Sequence, residues 1–226
     1  MKKMVAPFIT ILALILAVHA GASVVTSLPG GTVVPMPVID CSSPNFACFG
    51  PGPFTFGPGI TWSSTNDSVQ GGSIFGYDGS LGTYSYKANG YWTGALGPMA
   101  GLNDSTDDFG STDTMTFAFT TPVRAVGGFL NYAPGASTPT TIAVYDASRN
   151  LIESFNLPFV TGGADDTGAF YGFQESSPII SYFTLTDNYV GITNLTIAST
   201  PEPATWLLCG SGLLGLIGYG RRKIGL

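Results

Sequence analysis

Imidazole chemistry is closed to most of this chain. The sole histidine, His19, sits inside an N-terminal apolar run, so a body that begins near Ser23 has none. That removes most Ser/His/Asp, Cys/His and zinc-hydrolase readings. Of the three cysteines, Cys209 lies in a C-terminal apolar run, while Cys41 and Cys48 share a Pro/Gly-rich stretch. In an oxidising compartment these two are expected to close a small disulfide loop, two unpaired thiols being the plainer alternative. No CxxC motif or histidine accompanies them to complete a zinc site. Carboxylates remain, and many pairs are conceivable, but no spacing singles out two for glycoside hydrolysis. We therefore expect no enzyme and no cofactor, with calcium as the one metal to consider.

The calcium candidate is Asn103–Asp113, where Asp104, Asp107, Asp108 and Asp113 crowd one polar segment. Hard oxygen ligands at this density suit Ca²⁺, although the spacing and closing glutamate of an EF-hand are missing, and a solvated acidic turn is the plainer reading. Asp165–Asp166 beside Gly162–Gly163 is a second, weaker case. For sugar binding the candidates are aromatic: Trp62, Tyr77, Tyr84, Tyr86, Tyr91 and Trp92. Rings exposed on one face of a sheet can stack on a pyranose. Tyr84 and Tyr86 would share a face if that run is a strand, with Lys87 and Asn89 nearby as polar contacts, and Trp92 is grouped with them as a possible glycan contact. For any single ring, filling the core is the simpler expectation.

The elements that must position these residues read as strands. Met115, Phe117 and Phe119 alternate with threonines, Ile142 and Val144 with Thr141, Ala143 and Tyr145, and Leu195 and Ile197 with Asn194, Thr196 and Ala198. Ile179, Ser181, Phe183 and Leu185 form another period-2 set. Turn signals separate these runs at Asn131–Pro139, Asp146–Asn150 and Thr161–Gly168. No stretch of the body shows a capped 3.6-residue stripe. The expectation is one all-β domain over 23–200, an antiparallel β-sandwich of jelly-roll type. Residues 23–60 are Pro/Gly-rich, and Pro35–Pro58, with six of the sixteen prolines, is expected to wrap the sandwich as loop and edge strand.

Charge narrows the partners. Five of the eight Lys and Arg residues lie in the end segments, leaving Lys87, Arg124 and Arg149 against thirteen carboxylates, a formal −10 over 23–200. Such a surface repels phosphate backbones, so nucleic acid is not expected as a partner.

The two ends give the direction of travel. Lys2 and Lys3, the apolar run Val5–Val18 and the small residues before Ala22 read as a secretory signal peptide over 1–22 with one helix. At the other end Pro201-Glu202-Pro203-Ala204-Thr205-Trp206 leads into a nearly uncharged, glycine-rich run to Gly220, closed by Arg221-Arg222-Lys223. As a helix, 204–219 would span about 24 Å at ~1.5 Å per residue, just short of the ~30 Å hydrocarbon core. The basic cluster would stay cytoplasmic and hold the body outside the inner membrane, where the signal peptide also sends it.

This tail, residues 201–226, resembles the PEP-CTERM sorting signal of Gram-negative bacteria that make extracellular polysaccharide. The resemblance implies that exosortase, a membrane-embedded transpeptidase-like enzyme, recognises Pro201, Glu202, Pro203, the span and Arg221, Arg222 and Lys223. Cleavage near the Pro-Glu-Pro would then deliver the body to the cell surface or matrix. Val123–Phe129, Thr141–Asp146, Phe170–Phe173 and Tyr189–Leu195 resemble in turn a jelly-roll body often joined to such tails and similar to carbohydrate-binding modules. Relatives often carry Asp before the Asn of the last strand, where this chain has Thr193. The functional expectation is an exported surface or matrix protein, initially membrane-anchored, whose body binds exopolysaccharide or has a structural role. A secreted glycoside-active enzyme and a self-associating coat protein are the alternatives.

Overall fold

A computed structural model describes residues 22–42, 46–66, 72–103, 112–135, 139–163 and 168–199. The helices expected at the two ends lie outside these residues, as do Asp104, Asp107, Asp108, Asp165 and Asp166. Among the described residues no helix is long and apolar enough to cross a membrane. The chain forms strands β1 (Ser23–Val25), β2 (Thr32–Val33), β3 (Phe54–Phe56), β4 (Ile60–Ser64), β5 (Ser73–Tyr77), β6 (Tyr84–Ser85), β7 (Tyr91–Trp92), β8 (Met99–Asn103), β9 (Asp113–Val123), β10 (Ala125–Tyr132), β11 (Thr141–Tyr145), β12 (Leu151–Asn156), β13 (Ala169–Gln174), β14 (Ile180–Asp187) and β15 (Tyr189–Ala198). Among the described residues one 3₁₀ turn, Lys87–Asn89, accompanies them.

The first sheet has the order β1-β13-β10-β15-β8-β5, with β2 paired to β15, and the second β12-β11-β14-β9-β4-β3. Every pairing is antiparallel. From β8 onward the strands divide between the sheets as β8-β15-β10-β13 against β9-β14-β11-β12. That interleaving is two interlocked Greek keys, the jelly roll. The proline-rich first third extends it: β4 and β3 widen the second sheet at β9, and β1 and β5 flank the first.

Alternation along β9 sends Met115, Phe117 and Phe119 into the core and Thr114 and Thr116 outward. Facing side chains interdigitate across the sandwich, as in Phe173 against Phe183 at 6.4 Å and Trp62 against Phe75 at 5.2 Å. The Trp62 indole donates to Met115 Sδ at 3.5 Å, so this fully buried ring leaves no orphan donor. One face assignment is corrected. Pairing of β14 with β9 is irregular between Ile180 and Tyr182, where β9 carries extra residues around Pro122. The phase shift buries Ile180 and leaves Ile179 exposed, because an unmatched residue breaks the period-2 alternation.

The register also brings the ends of the body together. Ser23 pairs with Gln174, Gln174 with Ala125, and Ala125 with Ala198. The start of β1 and the end of β15 therefore lie at one end of the first sheet, three strand spacings or about 14 Å apart.

A second apolar cluster forms on the outer face of the first sheet. Ile74, Tyr77 and Met99 point away from the main core and meet Cys41, Cys48, Tyr84, Tyr86 and Trp92. Cys41 and Cys48 form the expected disulfide, with Cα atoms 5.1 Å apart. Its loop docks on the free edge of β5 through Phe75 N–H to Cys48 O at 2.8 Å and Gly50 N–H to Ser73 O at 3.0 Å. An edge covered in this way cannot recruit another strand.

Candidate functional site

The residues between β5 and β8 leave the sandwich and fold back over its outer face, carrying the predicted aromatic group with them. Tyr84, Tyr86 and Trp92 are 8 %, 1 % and 4 % exposed, so as a solvent-facing stacking group they are corrected. The reason is packing. Tyr84 and Tyr86 lie 5.0 Å apart, Tyr77 and Trp92 5.3 Å, and together they floor the second cluster. Tyr84 donates its hydroxyl to Leu102 O at 2.7 Å, and burial holds its phenol well above the ordinary range. Tyr86 lies so close over β15 that a methyl group at Gly191 would overlap its hydroxyl; glycine is required there to let the ring down onto the strand. Of the six rings singled out, Tyr91 stays exposed.

Asn89 anchors this excursion. Fully buried, it donates to Tyr132 O at 2.9 Å and accepts from Thr161 N–H at 2.9 Å, while its carbonyl takes the Thr161 hydroxyl at 2.8 Å. Lys87 stands over the Tyr189 ring at 5.1 Å, a cation–π contact.

Between the excursion and the sheet is a small, half-open depression. Trp92, Leu96, Met99 and Phe129 give it an apolar lining, with Asn131 and Thr193 as polar members. Thr193 is committed, its hydroxyl lying 3.1 Å from Leu96 O and 3.2 Å from Pro98 O. Trp92 Nε1 is buried and has no hydrogen-bond partner among the described residues. At the rim Phe129, 40 % exposed, faces its cross-strand partner Phe170 edge-on at 5.8 Å. Phe170 in turn covers Gly127, where a Cβ would come within 2.9 Å of the ring. This pair was not singled out by sequence reasoning; the signal was aromatic residues beside glycines in Gly127-Gly128-Phe129 and Phe170-Tyr171-Gly172.

Away from the pocket, Asp113 is capped by the Thr65 hydroxyl at 2.9 Å and the Asn66 amide at 2.7 Å. Among the described residues no three His, Cys, Asp or Glu side chains gather as a metal site. Asp187 is fully buried. It accepts from the Thr140 hydroxyl and from Asn188 N–H. Burial raises its carboxyl above the usual range, against those bonds and the charge of Lys87, which lower it.

Residues 199–223 match the PEP-CTERM protein-sorting motif. The chain carries a PEP-CTERM sorting signal. The matched segment begins directly after Ala198, the last residue of β15, and spans Pro201, Glu202, Pro203, Arg221, Arg222 and Lys223. No curated protein matches the chain. Among solved structures it is similar to the lectin domain of lectinolysin complexed with Lewis B antigen, at 7 % identity and TM-score 0.33, over 46 % of this chain and 72 % of that one. It is also similar to a Streptococcus pneumoniae fucose binding module, at 8 % identity and TM-score 0.35, over 62 % of this chain and 90 % of that one.

Proposed function

We propose that the chain is exported across the inner membrane, held there by its C-terminal segment, and cut by exosortase near Pro201–Pro203. The sandwich then remains at the cell surface or in the extracellular matrix as a non-catalytic binding module for extracellular polysaccharide. The observation that carries this reading is the join between body and signal: β15, a central strand, is complete at Ala198, and the matched motif starts at the next residue. A cut beyond that point removes no strand pairing.

Ser23 and Ala198, at the two ends of the described body, lie at one end of the first sheet, which is consistent with a body held by segments that adjoin both.

Mass spectrometry of the C-terminus of protein recovered from its native cell tests the reading. A mature chain ending between Thr200 and Pro203 is expected, and any added mass identifies the acceptor. Recovery of protein that still ends at Leu226 would refute processing.

A further inference from the structure

We propose that the outer face of the second sheet, at the end where the chain passes into the sorting motif, docks on an anionic lipid bilayer in the membrane-held precursor. Leu151, Ile179, Tyr145 and Tyr182 enter the interfacial layer, and Arg149 meets lipid phosphate. The proposal rests on the reading that the C-terminal segment holds the precursor at the membrane, and it adds which face of the body the bilayer takes.

The face follows from the register. Val144 and Phe183 point into the core, so Tyr145 and Tyr182, their neighbours along β11 and β14, point out. These two tyrosines are cross-strand partners, and Tyr145 is also the partner of Leu151. Directly opposite residues share a face. A row Leu151–Tyr145–Tyr182 therefore crosses three strands on the solvent side, with Leu151 57 % exposed and both rings half-buried. Ile179, also exposed, precedes Ile180 at the same end of β14. Arg149, exposed in the β11–β12 turn, lies over the Tyr182 ring at 4.1 Å. Tyrosines beside aliphatic side chains suit the membrane–water interface, and a guanidinium matches phosphate bidentately. The same guanidinium occupies a face of Tyr182 that a stacked sugar would need, so the row fits lipid better than glycan.

Position supplies the bilayer. Val123 pairs with Ile180, and the next residue, Arg124, donates its N–H to Ala198 O at 2.8 Å. The end of β15 thus lies beside this end of β9, and the order β9-β14-β11-β12 sets Leu151 three strand spacings away, about 14 Å. The sorting motif starts at residue 199, and its Trp206 is eight positions beyond Ala198. Covalent reach keeps the two within ~30 Å of each other.

Charge points the same way. Arg124 and Arg149, two of the three cations between residues 23 and 200, sit at this end, while Lys87 stands by Tyr189 at the other. The acids here are withdrawn. Asp146 accepts from Ser148 and Asn150 N–H at 2.8 Å each and from the Asn150 amide at 2.9 Å. Glu175 is buried, and Glu153, opposite core-facing Val144, points inward. At the far end Asp113 and Asp187 are cross-strand partners. An anionic surface attracts the arginine end of such a body in preference to the other.

The test uses the full-length chain in lipid nanodiscs, one set of phosphatidylcholine alone and one with added phosphatidylglycerol, each with a trace of headgroup-spin-labelled lipid. Broadening of backbone amide resonances reports which part of the body lies on the bilayer. In the anionic discs Tyr145, Leu151 and Tyr182 should broaden most and Asp113 and Asp187 least, with a weaker contrast in neutral discs. Arg149→Gln should lower the docked-to-free ratio about fivefold, and Leu151→Ser about five- to tenfold. Both positions are exposed, so the fold is retained. Broadening that is identical in both bilayers and both variants, or strongest at Asp187, would overturn the docking face and leave the membrane-held reading standing. A chain that does not enter the discs would overturn both. Broadening or shifts of the same row that need a second copy in the disc, or that a soluble oligosaccharide produces in lipid-free micelles, would give the face to that occupant and overturn the lipid assignment.

Discussion

Replacing Gly191 with alanine tests whether the excursion between β5 and β8 is built directly onto the sheet. The added Cβ would overlap the Tyr86 hydroxyl and lie 3.0 Å from both Tyr86 Cζ and Met99 Cε. Tyr86 is 1 % exposed and packed at 5.0 Å against Tyr84, so it has no solvent to swing into. Overpacking by one methyl costs about 1–3 kcal/mol, offset by the ~0.4–1 kcal/mol that replacing glycine returns through the unfolded chain. A net loss of about 1–2 kcal/mol is expected. Tyr86→Phe alone should cost about 0.5–1.5 kcal/mol, since its hydroxyl donates to Met99 Sδ at 3.7 Å. In the double variant the clashing oxygen is gone, and a 3.0 Å contact with ring carbon relaxes by a few tenths of an ångström. Gly191→Ala/Tyr86→Phe should therefore be at least ~1 kcal/mol more stable than the sum of the single losses predicts. Urea unfolding of residues 22–199, followed by tryptophan fluorescence, reads this as midpoint shifts of roughly 0.5–1 M at an m-value of ~2 kcal/mol/M. Additive losses, or a Gly191→Ala variant as stable as the parent, would refute the reasoning.

Two further outcomes follow from the same structure. Cys41→Ala/Cys48→Ala opens a short loop and should lower stability by roughly 2–3 kcal/mol; the Phe75 amide, bonded to Cys48 O at 2.8 Å, should exchange faster, and an unchanged rate there would show that the loop does not hold β5. Asp187, raised by burial, contributes stability that is complete below the unfolded carboxyl value of ~3.9 and is lost as pH rises through its folded value. Asp187→Asn cannot lose that proton, so its urea midpoint should gain on the parent between about pH 3 and 7; parallel curves would contradict a raised carboxyl.

The jelly-roll class was legible because a half-buried strand writes its period into the chain, as Met115-Thr116-Phe117-Ala118-Phe119 does. The sorting signal was legible because it is written as local sequence, with Pro201-Glu202-Pro203, an apolar run and three cations in order. The disulfide followed from the compartment and the short separation of Cys41 and Cys48. The aromatic group was misread for a specific reason. Spacing says that Tyr84 and Tyr86 share a face, but not whether that face meets water or another layer.

What the sequence determined by itself was therefore local: strand periodicity, turn chemistry, charge balance and the sorting motif at the C-terminal end. Only the tertiary structure decided which faces were covered. Folding the β6–β7 excursion over Gly191 buried the rings that looked exposed, and the β10–β13 register set Phe129 opposite Phe170 across a long stretch of chain. Burial depends on what packs against a face, and that partner comes from a distant part of the chain that no local pattern names.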